Sequence, residues 1–244
     1  MWTFYSGNLE LCKWLTKTFE FTAAECKKYS NLPLIRACKY GNLHMAKWLV
    51  DYFKLSADDI KSNQNEALSV ACLYERLNIC EWILNNFNLT IEDIRSFNNE
   101  PLRNACMGGN LKICELLINR FNYTVDDVRS NENQALIGAC NSKNLRIVLL
   151  LIKTFKNAFK NIGVRGEEAI KYICNNKVNG RKIKIKACRK LLNVLNFTED
   201  NIKNVLEHIY LLSGRLFNEL INKFNLNEEY SKKAWNTITL KFEN

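Results

Sequence analysis

The chain has 244 residues, 47% of them hydrophobic and 25% charged, with two prolines and a net charge of +10. That balance excludes a disordered or collagen-like polymer and supports a full hydrophobic core rich in helix. The longest apolar run, "IVLLLI" at 147–152, falls far short of the roughly 20 residues that cross a bilayer, and the opening "MWTFYSGNLELCKWL" lacks the basic start and cleavage site of a signal peptide. An intracellular, cytoplasmic protein with no membrane association is expected.

Taken in chain order, the elements repeat. "SGNLELCKWLTKTFEFTAAECKKYSN", residues 6–31, reads as a helix after Gly7-Asn8 and a short helix after Thr22. "PLIRACKYGNLHMAKWLVDYFKLSADDIKSNQNE" (33–66) adds a first helix in front of the same pair. Copies follow from Ala67, Pro101 and Ala135 with a period of 34. A further copy from Ala169 carries about six extra residues near "NKVNGRK" before resuming as "IKACRKLLNVLNFTEDNIKN". The first of these copies lacks its first helix, and residues 1–5 could shield the open end, since terminal repeats need a cover. The array is expected over 1–203, with a worn copy or cap over 204–244. A period of this length marks stacked supersecondary units, none of which hides its own apolar face alone.

Within a copy, proline at 33 and 101 suits the first position of a helix. The first helix ends at Gly7-Asn8, Gly41-Asn42 or Gly109-Asn110, where glycine tolerates the left-handed backbone of a tight turn. The second helix has apolar residues at helical spacing, such as Ile113, Cys114, Leu117 and Ile118. Trp14, Trp48 and Trp82 recur in register on it, as do Phe19, Phe53, Phe87, Phe121 and Phe155, and these recurring residues are expected to be packing. Thr22, Ser56, Thr90 and Thr124 each precede Glu25, Asp59, Asp93 and Asp127 by three residues. That spacing predicts a capping box opening a short third helix in every copy. The glycosylation sequons at Asn88, Asn122 and Asn196 are by-products of this cap.

Cys38, Cys72, Cys106, Cys140 and Cys174 fall 34 residues apart, and Cys12, Cys80, Cys114 and Cys188 share a second recurring position. No CxxC occurs, and only His44 and His208 could complete a zinc set. The ten cysteines therefore read as small, buried, reduced hydrophobes, with no metal and no cofactor expected. His44, near the start of a second helix, is expected to cap or pack. No phosphate-cradling or nucleophile-elbow motif is present, so no catalytic residue is assigned.

The phrase "PLxxACxxGNLxxxxWL" resembles the ankyrin repeat, through Pro33-Leu34, Ala37-Cys38, Gly41-Asn42 and Leu49 and again through Pro101-Leu102, Ala105-Cys106, Gly109-Asn110 and Leu117. Asn replaces the histidine that follows glycine in that family, and a stretch such as "LTIEDIRSFNN" replaces its hairpin. In this form the chain looks like the diverged repeats of large DNA viruses of amoebae. The resemblance implies an all-α solenoid of helix pairs, with a short third helix where the family has a hairpin; other helix-pair solenoids, of TPR or HEAT type, are the alternative. It also implies a non-enzymatic, monomeric scaffold that binds a host or viral protein. Residues that vary in register become the candidate contacts: Arg36, Lys39, Tyr40, Tyr74, Glu75, Arg103 and Met107 around the first helices, with Gln64, Phe97 and Glu132 at loop tips.

Charge suggests a second class of partner. Residues 1–134 carry 15 basic and 16 acidic residues, whereas 135–244 carry 20 and 9, so the excess belongs to the second half. It concentrates in 143–190, and most densely in "GRKIKIKACRK": Arg181, Lys182, Lys184, Lys186, Arg189 and Lys190. Such a stripe suits nucleic-acid phosphates, nuclear import or an acidic protein surface. Ile185, Cys188, Leu191 and Leu192 read as the buried face of a second helix, which directs Lys184, Lys186 and Lys190 elsewhere. Aromatic residues for base stacking are absent from 179–190.

Overall fold

The computed structural model describes residues 7–28 and 31–226; the proposed shield at residues 1–5 and the last part of the worn copy lie outside them. Among the described residues the chain is all-α, without a strand. It divides into two compact units, Met1–Tyr123 and Thr124–Asn244.

The first unit runs through α1 (Leu9–Thr18), α2 (Ala23–Lys28), α3 (Leu32–Tyr40), α4 (Leu43–Phe53), α5 (Ala57–Leu73), α6 (Leu77–Asn86), α7 (Ile91–Gly108) and α8 (Leu111–Arg120). First helices stack on first helices and second on second, α3 on α5 on α7 and α6 on α8. The core between the layers holds the phased cysteines with Leu34, Leu49, Leu68, Ile79, Ile83, Leu102, Ile113 and Leu117, all essentially inaccessible. The turns between first and second helices are left-handed, with φ of 80° at Gly41 and 90° at Gly109. Asn8 and Asn110, the residues after glycine, cap the second helices by accepting the amides of Leu11 and Ile113 at 3.0 and 3.2 Å. Asparagine thus does useful work where the ankyrin family has histidine.

α5 and α7 each join a third helix to the first helix of the next copy through left-handed residues: Asn65 in α5, and Phe97, Asn98 and Asn99 in α7. Asparagine tolerates that backbone better than other residues with a side chain. Buried Asn31 and Asn65, 34 residues apart, also bond forward. The Asn31 Nδ2 donates to the Asp59 carbonyl at 3.0 Å and the Asn65 Nδ2 to the Asp93 carbonyl at 2.6 Å.

The capping boxes form. Thr22 pairs with Glu25, and Ser56, Thr90 and Thr124 pair with Asp59, Asp93 and Asp127. The carboxylates do a second job: Lys27 reaches Asp59, and Lys61 reaches Asp93, each at 2.8 Å. Each copy therefore grips the cap of the next. Partial burial pushes the Asp93 carboxyl up, but the Lys61 ammonium and the Thr90 amide and hydroxyl outweigh it and hold the group below its ordinary range. A carboxyl depressed in this way stabilises the fold above its unfolded pKa, and that stability is lost as pH falls through the lower folded value. Thr90→Ala is expected to cost about 1 kcal/mol at neutral pH. Part of the deficit should vanish in acid, below about pH 4; urea titrations of both chains at pH 7 and pH 3 check this.

The second unit comprises α9 (Val125–Asn141), α10 (Arg146–Thr154), a 3₁₀ turn (Lys156–Phe159), α11 (Gly163–Asn175), α12 (Arg181–Val194), α13 (Glu199–Lys203), α14 (Leu206–Leu212) and α15 (Gly214–Lys223). α9 packs on α11 and α10 on α12, and α14 on α15. α9 is itself two helices joined at Asn131, Glu132 and Asn133, all left-handed. Three expectations change here. The copy from Ala135 has no capped third helix, because "KNAF" offers no hydroxyl–carboxylate pair and makes the 3₁₀ turn instead. Arg129, in register with Lys27 and Lys61, meets no carboxylate and instead donates to the carbonyls of Ala158, Asn157 and Lys160 at 2.6, 3.1 and 3.3 Å. The helix that opens the following copy begins at Gly163, six residues before Ala169.

Two expectations about packing also change. The register of the tryptophans holds, but Trp14 is exposed, and Trp48 and Trp82 are half-buried, edge-on to Phe53 and Phe87. An indole is too large for the layer that the cysteines fill, so it lies along the margin. His44 is exposed and neither caps α4 nor packs.

Candidate interaction site

The C-terminal ends of the first helices of the first unit gather the predicted contacts best. α3 closes with Lys39-Tyr40 and α5 is followed by Tyr74. The Lys39 ammonium lies 4.7 Å from the centre of the Tyr74 ring and 5.8 Å from that of Tyr40. The rings remain 41% and 40% exposed at Tyr40 and Tyr74. The backbone beneath is fixed by Arg76, whose Nε donates to the Lys39 carbonyl at 2.9 Å. Arg36 lies one turn earlier on α3, half-buried. Next along the row, α7 ends in Met107, 49% exposed, and Gly108, where an added Cβ would stand 2.5 Å from the Leu73 carbonyl oxygen. That approach draws the ends of α5 and α7 together. The result is a strip of one ammonium, two phenols and a thioether, chemistry that suits recognition by stacking and cation–π contact.

Other predicted contacts do not join this strip. Phe97, 52% exposed, sits on the left-handed turn at the opposite end of its first helix, roughly 14 Å of helix from Met107. Arg103 holds that turn, donating to the Asn98 carbonyl at 2.8 Å and the Phe97 carbonyl at 3.1 Å, which gives it a positioning duty. Glu75 takes the left-handed place that Gly41 and Glycine 109 hold in the sister copies, with φ of 63°. Glu132 bonds to Arg165 within the second unit. The Gln64 side chain lies outside the described residues.

The basic stretch divides in two. On α12, Arg181 donates to the Leu212 carbonyl at 2.8 Å, and Arg189 meets the Glu219 carboxylate at 3.2 Å. Lys184, expected to point away from the packing, is half-buried and donates to the carbonyls of Cys174 and Asn176 at 3.2 and 2.9 Å. Both acceptors belong to the C-terminal end of α11, whose last carbonyls have no partner within their own helix, and Lys184 in the first turn of α12 supplies the donor. Lys182, Lys186 and Lys190, spaced by four, remain exposed on one helix face.

The cysteines supply no chemistry to either surface. All ten are free, and only Cys174 is other than buried. Burial, reinforced by the Asp59 charge, pushes the Cys26 thiol up to about 11. Burial raises Cys38 and Cys140 as well. Such thiols stay protonated at neutral pH and are neither nucleophiles nor ready ligands. Among the described residues no cluster of three or more His, Cys, Asp or Glu could hold a metal ion, and no helix is long and apolar enough to cross a membrane.

Stacked helix pairs repeated along the chain place it in the class of helical-repeat proteins. Residues 1–93 match the family model for ankyrin repeats, in three copies. No curated protein and no solved structure matches the chain.

The sequence named Lys39, Tyr40 and Tyr74 but not their joint contact. It also offered a signal that went unread: Lys27, Lys61, Arg95 and Arg129 recur every 34 residues, and the first two prove to be ties between copies.

Proposed function

We propose that the chain is a non-enzymatic scaffold that docks a host or viral protein along the first-helix ends of its ankyrin repeats, working as an intracellular monomer. The observation that carries this reading is the Lys39–Tyr40–Tyr74 cluster, a half-buried cation between two exposed rings on a backbone fixed by Arg76. The ankyrin match over 1–93 supports it, because such repeats are protein-interaction modules and carry no chemistry of their own. Exposed rings and a desolvated cation are the side chains that most often dominate protein interfaces.

The test is affinity capture on the full chain against the double variant K39A/Y74A, with K112A, outside the strip, as control. A defined protein partner should be retained by the wild type and by the control, and fall at least about tenfold with the double variant, a loss in the range for removing an interface hot spot. Equal retention by all three chains would defeat the reading. A second reading, association with nucleic acid through 143–190, is favoured by the exposure of Lys182, Lys186 and Lys190. Its test is a mobility shift over a salt series: complexes surviving about 150 mM salt would favour it, and none at low salt would end it.

A further inference from the structure

The second unit contains a groove of about 550 Å³ between α10 and α12. Its apolar floor is formed by Leu149, Ile152 and Val194. Its rims carry four lysines, Lys153 and Lys156 on one side and Lys186 and Lys190 on the other. All four are exposed. α10 and α12 are second helices, whereas the Lys39–Tyr40–Tyr74 strip is built on first helices.

Among the described residues none of these lysines forms an ion pair, and most of the acidic groups of this unit are engaged elsewhere. Glu132 and Glu168 both bind Arg165, Glu199 and Asp200 bind Lys203, and Glu219 binds Arg189 and Arg215. Glu167 accepts from Asn201, and Asp127 is held in its capping box. Between 143 and 190 there are 14 basic residues and only these two glutamates, 167 and 168. Four like charges around one groove repel each other and favour an anionic occupant.

The floor selects among anions. A nucleic-acid strand would bring phosphates for the lysines but needs stacking partners for its bases, and the groove lining contains no aromatic residue and no arginine. An aliphatic floor between cationic rims matches a segment whose own face alternates leucine-like side chains with carboxylates, the pattern of an amphipathic helix laid in a groove. We infer that the α10–α12 groove is a docking site for an acidic amphipathic helical segment of a partner protein. Its apolar residues meet Leu149, Ile152 and Val194, and its carboxylates pair with Lys153, Lys156, Lys186 and Lys190.

The probe is a labelled 16-residue peptide with leucine at helical spacing and glutamate elsewhere, titrated into the full chain and read by fluorescence anisotropy. Saturable binding is expected, weakened at least about tenfold by K153E/K190E and unchanged by K112E, an exposed position on α8 that does not line the groove. Replacing the peptide's leucines with serine should weaken it by a similar factor. Far-ultraviolet circular dichroism of each variant shows that the fold is kept, and all substitutions are at exposed positions. The inference falls if binding is absent, if K112E weakens it as much as K153E/K190E, or if the serine peptide binds equally well. It also falls if a single-stranded oligonucleotide of equal charge binds more tightly and displaces the peptide.

Discussion

Replacing Gly108 with alanine is expected to destabilise the Met1–Tyr123 unit by about 1–3 kcal/mol, the usual cost of forcing an extra carbon into a packed interface. The direction is opposite to that of an ordinary helical glycine, where alanine gains about 1 kcal/mol from propensity. The reason is the neighbour. The new Cβ would lie 2.5 Å from the Leu73 carbonyl oxygen and 3.0 Å from that of Cys72. Both obstacles are backbone, so no side chain can rotate away, and α5 and α7 must separate at their ends. Gly108→Val should be worse, since its branched carbon enlarges the same overlap. Gly180→Ala is the control, with nothing within 4 Å of the added atom, and should change stability by less than about 0.5 kcal/mol. Trp14, Trp48 and Trp82 all lie in the affected unit, so urea unfolding followed by their fluorescence reads it directly. A Gly108→Ala chain as stable as the wild type would show that the two first helices do not approach this closely.

Asn65→Ala is expected to cost about 2–5 kcal/mol, from two sources that can be separated. The amide supplies a 2.6 Å bond to the Asp93 carbonyl from a buried site, and a buried carbonyl left without its donor costs about 1–3 kcal/mol. The residue also holds φ of 61°, which alanine resists by about 1–2 kcal/mol. Asn65→Gly relieves the backbone cost but not the lost bond, and should recover about 1 kcal/mol of the alanine deficit. Asn65→Asp sets an acceptor against an acceptor. A carboxyl buried there is raised above its unfolded pKa, so this variant should lose stability as pH rises through the carboxylate range and regain it in acid. Thermal unfolding of the three variants at two pH values distinguishes these contributions. Equal losses for alanine and glycine would remove the backbone share.

Much of this was legible in the sequence because the 34-residue spacing repeats whole environments. Cys38, Cys72 and Cys106 could be placed in the core together, and Thr90 with Asp93 could be read as a cap, because each pattern needs only local geometry. What escaped depends on neighbours in the stack. Asn65 looks like any polar loop residue until the Asp93 carbonyl arrives from the following copy. Gly108, beside the more obvious Gly109, gains its meaning only from the Leu73 backbone. The register of Trp14, Trp48 and Trp82 points to packing, but periodicity fixes a direction from the helix axis and not the depth of cover. Lys184 differs for a related reason: it caps carbonyls at the end of α11, a contact between two helices that the pattern within α12 does not encode. The candidate site was legible residue by residue, as Lys39, Tyr40 and Tyr74, but not as one cluster.

The distribution of sulfur through the stack has a further use. Each copy between residues 7 and 203 keeps at least one thiol sealed from solvent, from Cys12 and Cys26 at the start to Cys188 near the end. An alkylating reagent can reach such a thiol only when its own layer breathes. Peptide mass mapping of the alkylated chain over time would therefore rank the layers by how often they open, turning a native residue type into a set of positional clocks that need no engineered label.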